Sequence, residues 1–234
     1  MTRATDFNLN RQLLFSLPMF EGVGSATVKD VSKAHHPVTM VHSPVWVQLA
    51  SGLWVLDFDG ASDKLYSPAA NCTDLNFSTE YITWAVWVYM DGFTNYPRFM
   101  SKGSPGWRFG VYSDSGGDAR KPYLDMQDAV GHSKTFLCPA DGAIAYTTWT
   151  LISVSRYTRL PTRVFFCVNG VNLTCTDTWG DYDPGPSARD LDICSELSDR
   201  WINGRIWNPR IWSRALSPAE HMQIFNAERE FFGV

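Results

Sequence analysis

The hydrophobic positions of this chain change rhythm many times, and most changes fall at a turn signal. Leu53–Phe58 is apolar and closes at Asp59-Gly60. Tyr81–Met90 reads YITWAVWVYM, apolar at almost every position. A run of that length could be a short helix. Its Tyr, Ile, Thr, Trp and Val content favours a pleated backbone, so a central strand buried on both faces is expected. Trp107–Tyr112 follows Pro105-Gly106, Pro122–Met126 is shorter, and Trp149–Arg156 alternates apolar with polar positions. Arg163–Thr176 holds two strands around Asn169-Gly170, a dipeptide suited to a tight hairpin. Gly204–Trp212 is the last strand. Pro209 inside it predicts an edge position or a bulge, because proline cannot donate to a sheet ladder.

One helix is well marked. Ser217 can cap it, Pro218 suits its first position, and Glu220 completes a capping box. Met222, Phe225 and Ala227 give it an apolar side, so a helix over 217–230 is expected to pack on the strands. Residues 1–12 read as an N-terminal arm. Turn signals recur at short intervals, with no low-complexity tract, charge block, internal repeat or linker. Residues 1–234 are therefore expected to form one all-β domain, an antiparallel two-sheet sandwich with a short C-terminal helix.

Composition narrows the function classes. Hydrophobic residues are 44% and charged residues 19% of the 234, which fits a globular chain. Net charge is -4 and no basic stripe with interleaved aromatics exists, so no nucleic-acid partner is expected. No apolar run approaches a membrane span, so no membrane partner is expected either. The N-terminal apolar stretch is short and broken by polar residues, unlike a secretion signal. The sequons at Asn71, Asn76 and Asn172 then read as chance matches. The cysteines are Cys72, Cys138, Cys167, Cys175 and Cys194, with no CxxC pair, so a zinc cluster is not expected. Reduced, partly buried thiols fit best, with a Cys167–Cys175 disulfide as the alternative.

In this order the pieces resemble the laminin-G-like jelly-roll modules of the concanavalin A-like lectin/glucanase group. Leu14–Met19 is similar to the family's opening strand, followed by the turn Glu21–Ser25 and by Asp30-Val31-Ser32. Phe58-Asp59-Gly60 with Asp63 is similar to the family's strand-closing Phe-Asp-Gly. Tyr81–Met90 and Phe99–Gly103 resemble its paired central strands, and Trp149 to Asn169-Gly170 its Trp-centred strand and hairpin. Gly204 through Arg214-Ala215-Leu216-Ser217 resembles its end. The likeness runs from Leu14 to Phe232 and implies a jelly roll. The loop from Trp179 to Ser198 is longer than the family's usual connection.

The resemblance also frames the chemistry. The related glucanases set two carboxyls on one strand, in a pattern close to Glu-x-Asp-x-x-Glu, which is absent here. Asp57-x-Asp59 reads as a turn former and Asp190-x-Asp192 as solvated. His35, His36, His42, His132 and His221 form no nucleophile–base pattern and read as ordinary loop histidines. The chain is therefore expected not to be an enzyme. Sugar binding needs an exposed ring beside polar groups; Phe93 and Tyr96 in one loop and Trp179 and Tyr182 in another could supply it. The alternative is that these rings seal the sandwich edge. No cofactor is expected to be required. Calcium is the one metal suggested, on Asp30, Asp59 and Asp63, although Asn208 stands where the family often has an acidic residue.

Two functions from different classes follow. The first is a structural or attachment protein of a virus particle, such as a phage: a capsid decoration, tail or fibre component. It would fold in the host cytoplasm and partner other virion proteins or copies of itself as a homo-oligomer. The second is a carbohydrate-binding, lectin-like module acting on a glycan, cytoplasmic or extracellular.

Overall fold

A computed structural model describes residues 9–78, 81–113, 119–140, 142–157, 164–175, 183–196 and 199–234. The chain opens with β1 (Leu13–Ser16), β2 (Thr39–Val41), β3 (Val45–Gln48), β4 (Trp54–Asp59) and β5 (Lys64–Ser67). After two short 3-10 turns come β6 (Ile82–Gly92), β7 (Arg98–Ser101), β8 (Gly106–Val111), β9 (Pro122–Gln127) and β10 (Ser133–Leu137). The last third holds β11 (Thr150–Arg156), β12 (Val164–Val168), β13 (Val171–Thr174), β14 (Leu191–Ile193), β15 (Asn203–Trp212) and helix α1 (Pro218–Glu228). One sheet runs β13-β12-β11-β6-β15-β4-β3, with β1 also paired to β15. The other runs β10-β9-β8-β7-β14-β5-β2. The ladders between these strands are antiparallel, and the two sheets form the expected jelly-roll sandwich.

The apolar run in β6 has a two-sided explanation. Trp84 faces the opposite sheet and meets Trp107 of β8, ring centroids 5.3 Å apart. Trp87 faces outward and stacks on Phe232 at 4.2 Å and Phe225 at 5.9 Å, in and just after α1. Its indole N–H donates to Glu228 Oε2 at 2.7 Å. The helix thus buries the outer face of the first sheet and leaves the outer face of the second sheet uncovered by it.

The capping box is present. Ser217 Oγ accepts from Glu220 N, and Glu220 Oε2 accepts from Ser217 N at 2.8 Å. Ser217→Ala is expected to cost about 1 kcal/mol, read as a lower urea midpoint at unchanged slope. No change would mean that tertiary packing alone fixes the helix start.

Two expectations are corrected here, and the expectation of an edge or a bulge at Pro209 resolves to the bulge: β15 lies between β6 and β4, and the register slips between Trp207 and Arg210. That bulge takes the proline out of the ladder, the second of the two ways a strand tolerates one. The strands matching the family's central pair do not pair: β6 lies in the first sheet and β7 in the second. The five cysteines are buried and form no disulfide among the described residues, so the Cys167–Cys175 alternative fails. Cys167 pairs with Asn172 near the hairpin turn, while Cys175 bonds Val164 at its far end. Burial pushes the Cys167 thiol up to about 11, so it behaves as an inert apolar group. Among the described residues no helix is long and apolar enough to cross a membrane.

Candidate functional site

Successive side chains of a strand face opposite ways. Trp107 and Phe109 of β8 are core residues, as are Leu124 and Met126 of β9. Arg108, Tyr123 and Asp125 alternate with them and therefore project from the outer face. Their rungs match, Arg108 opposite Asp125 and Gly110 opposite Tyr123. Gly110 has no room for a side chain: a Cβ there would sit 2.2 Å from the Pro97 carbonyl oxygen. This close approach lets the segment between β6 and β7 settle onto the sheet.

Charges buried on this face must be paired, because an isolated ion there would cost several kcal/mol. Arg98 Nε donates to Glu196 Oε2 and Arg108 Nε to Glu196 Oε1, each at 2.9 Å. Arg108 also donates to Asp125, whose other oxygen accepts from Thr135 at 3.0 Å. Burial draws the Arg98 pKa down, opposed by Glu196. The Arg98 guanidinium lies 4.7 Å above the Tyr123 ring, and its Nη1 donates to the Tyr96 carbonyl. Tyr96 meets Tyr112 edge-on at 5.5 Å, and Arg200 lies 5.1 Å above the Tyr96 ring.

These groups enclose a cleft of about 360 Å³ lined by Arg98, Arg108, Glu196, Asp199 and Arg200. Its mouth differs chemically from its floor. On the floor, both Glu196 oxygens and both Asp125 oxygens are engaged. At the mouth, Arg200 meets Asp199 in an ion pair at 3.7 Å as well as the Tyr96 ring. Asn95 Nδ2 reaches Asp199 Oδ2 at 3.5 Å, and Tyr96 is 36% exposed. Tyr96 and Arg200 both hold left-handed backbone, at φ 49° and 62°. Bulky residues persist there only where surroundings dictate it, as at ligand sites. The mouth therefore offers a flat ring, a guanidinium fork, an amide and a carboxylate, the groups that receive a hydroxylated ring.

Of the four rings singled out in the sequence, Tyr96 reaches this cleft. Phe93 is half-buried and packs on the core. Trp179 and Tyr182 lie outside the described residues. Asp192, expected to be solvated, is buried in β14 and bonds Lys64 at 2.9 Å. The long loop carries both β14 and Glu196, and nothing in its polar composition distinguished Glu196 from a solvated acid.

The calcium candidates do not converge. Asp59 organises the β4–β5 turn, accepting from Ala61 N, Ser62 N and Asp63 N at 2.8 to 3.0 Å. Burial works against its ionisation, but these bonds hold its pKa well below the usual carboxylate range. Asp63 accepts from Ser43 N and Asp59 N. Asp30 is buried and accepts from Ser16 N, Ser32 N, Ser32 Oγ, His36 N and His36 Nδ1, the last at 2.6 Å. Among the described residues no three His, Cys, Asp or Glu side chains could hold one metal ion. The three aspartates thus do not fit a shared calcium site.

The chain belongs to the laminin-G branch of the concanavalin A-like lectin/glucanases superfamily, which matches residues 59–220. Solved structures share its fold at low identity. The binding domain of Paraclostridial Mosquitocidal Protein 1 superposes with TM-score 0.70 at 15% identity, over 96% of this chain and 56% of that one. Domain 4 of AbnA, an extracellular arabinanase from Geobacillus stearothermophilus, in complex with arabinotriose, gives 0.64 at 14%, over 91% and 98%. The botulinum neurotoxin serotype G binding domain gives 0.67 at 14%, over 92% and 51%. The chain thus spans little more than half of the toxin binding domains and nearly all of the arabinanase domain. No curated protein matches the chain by sequence.

Proposed function

We propose that this chain is a non-catalytic binding module whose ligand is a glycan, received at the mouth of the cleft on the outer face of the second sheet. The observation that carries this reading is the grouping of the exposed Tyr96 ring with Arg200, Asp199 and Asn95. A sugar ring presents a C–H face to the aromatic surface while its hydroxyls meet donors and acceptors at its edge. The absence of catalysis is supported by the floor, where both carboxylates are consumed by arginine and threonine donors. Among the described residues no free carboxyl pair remains there for acid–base work. The arabinotriose held by the arabinanase domain and the binding role named for the toxin domains are consistent with a ligand of this class. On a virus particle the same module would serve attachment, and the glycan reading stands without that placement.

Tyr96→Ala and Arg200→Ala should each weaken glycan-array binding by about tenfold or more, with the melting temperature nearly unchanged because both residues lie at the mouth. Binding that survives both substitutions contradicts this site. Chelation with EDTA should leave binding intact, because Asp30, Asp59 and Asp63 are committed to protein donors. Loss of binding in chelator would restore calcium to the account.

A further inference from the structure

A second cleft, of about 300 Å³, lies on another part of the molecule, where β1 and the residues after it pass the bulge of β15. Its wall residues include Ser16, Phe20, Ser32, Lys33 and Asn208. Phe20 is 71% exposed, more than any other aromatic side chain among the described residues. Asn208 is only 7% exposed and sits in left-handed backbone, φ 48°, within the bulge. Its Oδ1 accepts from Ser16 Oγ at 2.8 Å. The amide NH2 has no acceptor among the described residues, so two donors remain on a group that lines the cleft.

The walls are held from behind. Asp30 Oδ1 accepts from both Ser16 N at 3.0 Å and Ser32 N at 2.9 Å, and Asp30 Oδ2 accepts from Ser32 Oγ at 2.8 Å. His36 clamps that carboxylate through Nδ1 and bonds Asp74 through Nε2 at 2.9 Å. The aspartate read from the sequence as a calcium ligand therefore fixes the two sides of this cleft. Among the described residues no acidic side chain lines it, and Lys33 is its one cation. The charge pattern differs from that of the first cleft, with its three arginines and two acids.

We infer that this is a second carbohydrate site, taking a neutral sugar residue. Its C–H face packs on Phe20, and a hydroxyl accepts from the Asn208 amide. The ring, the positioned amide and the rigid polar walls are the elements a neutral sugar requires. The site is independent of the Tyr96 cleft and shares no residue with it.

The test uses an array of neutral oligosaccharides spanning arabinan, glucan, galactan and mannan fragments, with the full chain, Phe20→Ala, Asn208→Gly and Tyr96→Ala. Phe20→Ala changes an exposed side chain and leaves the fold intact. Asn208→Gly keeps the left-handed backbone while removing the amide. At least one neutral glycan should bind the wild type and lose about tenfold or more in both Phe20→Ala and Asn208→Gly while Tyr96→Ala retains it. If Phe20→Ala matches the wild type on every glycan, or if no neutral glycan binds the wild type, this second site is overturned. An effect of Tyr96→Ala alone would overturn it while leaving the first cleft standing.

Discussion

Folding stability is expected to peak near pH 6.5 and to fall on both sides, because two buried histidines are shifted in opposite directions from that value. His36 is desolvated, but Asp30 and Asp74 outweigh this and raise its pKa to about 9. Its folded pKa lies above the unfolded one, so its contribution is complete below pH 6.5 and is lost as pH rises through 9. His221, in the first turn of α1, is buried against β11 between Ser153 Oγ and Ser155 Oγ, at 2.7 and 2.8 Å. Desolvation, with Arg214 and Arg210 nearby, outweighs Glu220 and lowers its pKa to about 4. The unfolded chain then takes up a proton that the folded chain refuses, so stability declines as pH falls from 6.5 to 4. Each limb amounts to about 3 kcal/mol. Urea unfolding across pH 4.5 to 9 (a window above the titration of most carboxylates) should give a dome. His36→Gln should flatten the alkaline limb and His221→Gln the acid limb. A curve that changes in one direction only would show that at least one histidine is not held as described.

Glu196→Ala is expected to lower stability by about 3 kcal/mol, since it leaves the buried Arg98 guanidinium without a carboxylate while Arg108 keeps Asp125. Arg98 is 8% exposed and donates to Glu196 through Nε, as does the half-buried Arg108. Glu196→Gln should cost less, because the amide oxygen still accepts one of the two bonds. Replacing the three residues together by apolar side chains of similar volume should recover much of the loss. A guanidinium-chloride midpoint for Glu196→Ala within about 1 kcal/mol of wild type would mean that water reaches these arginines freely. Glu196→Ala should also abolish glycan binding in chains that remain folded, because Arg98 anchors both Tyr96, through its carbonyl, and Arg200, whose carbonyl accepts from Arg98 N at 3.0 Å.

The sandwich was legible in the sequence wherever local signals agree with tertiary structure. The Asn169-Gly170 turn, the capping box at Ser217 and the apolar run in β6 each carry their meaning within a few residues. What was not legible depends on partners far along the chain. Pro209 is compatible with an edge or a bulge, and only the arrangement of β6, β15 and β4 decides between them. The short strands β2, β3, β5, β10 and β14 have too few residues for a period to show. β14 in particular is polar at Asp192, because that side chain meets Lys64 from a strand distant in sequence.

The candidate cleft was half legible. Tyr96 stands out because an aromatic in a polar loop is a plausible rim. Arg98, Arg108 and Glu196 do not, because each looks like an ordinary surface charge until the three meet. Asp30 is the opposite case: a family position suggests a metal ligand, and only the structure shows that its oxygens collect five donors from Ser16, Ser32 and His36.

The measurement that bears most directly on the central claim is amide chemical-shift mapping of the labelled protein titrated with its strongest glycan from the array. The expected result is a saturating set of shifts at Tyr96, Arg98, Asp199 and Arg200, with the helix-covered face around Trp87 and Phe232 unmoved. Saturable binding that leaves all four of those residues unshifted would contradict it.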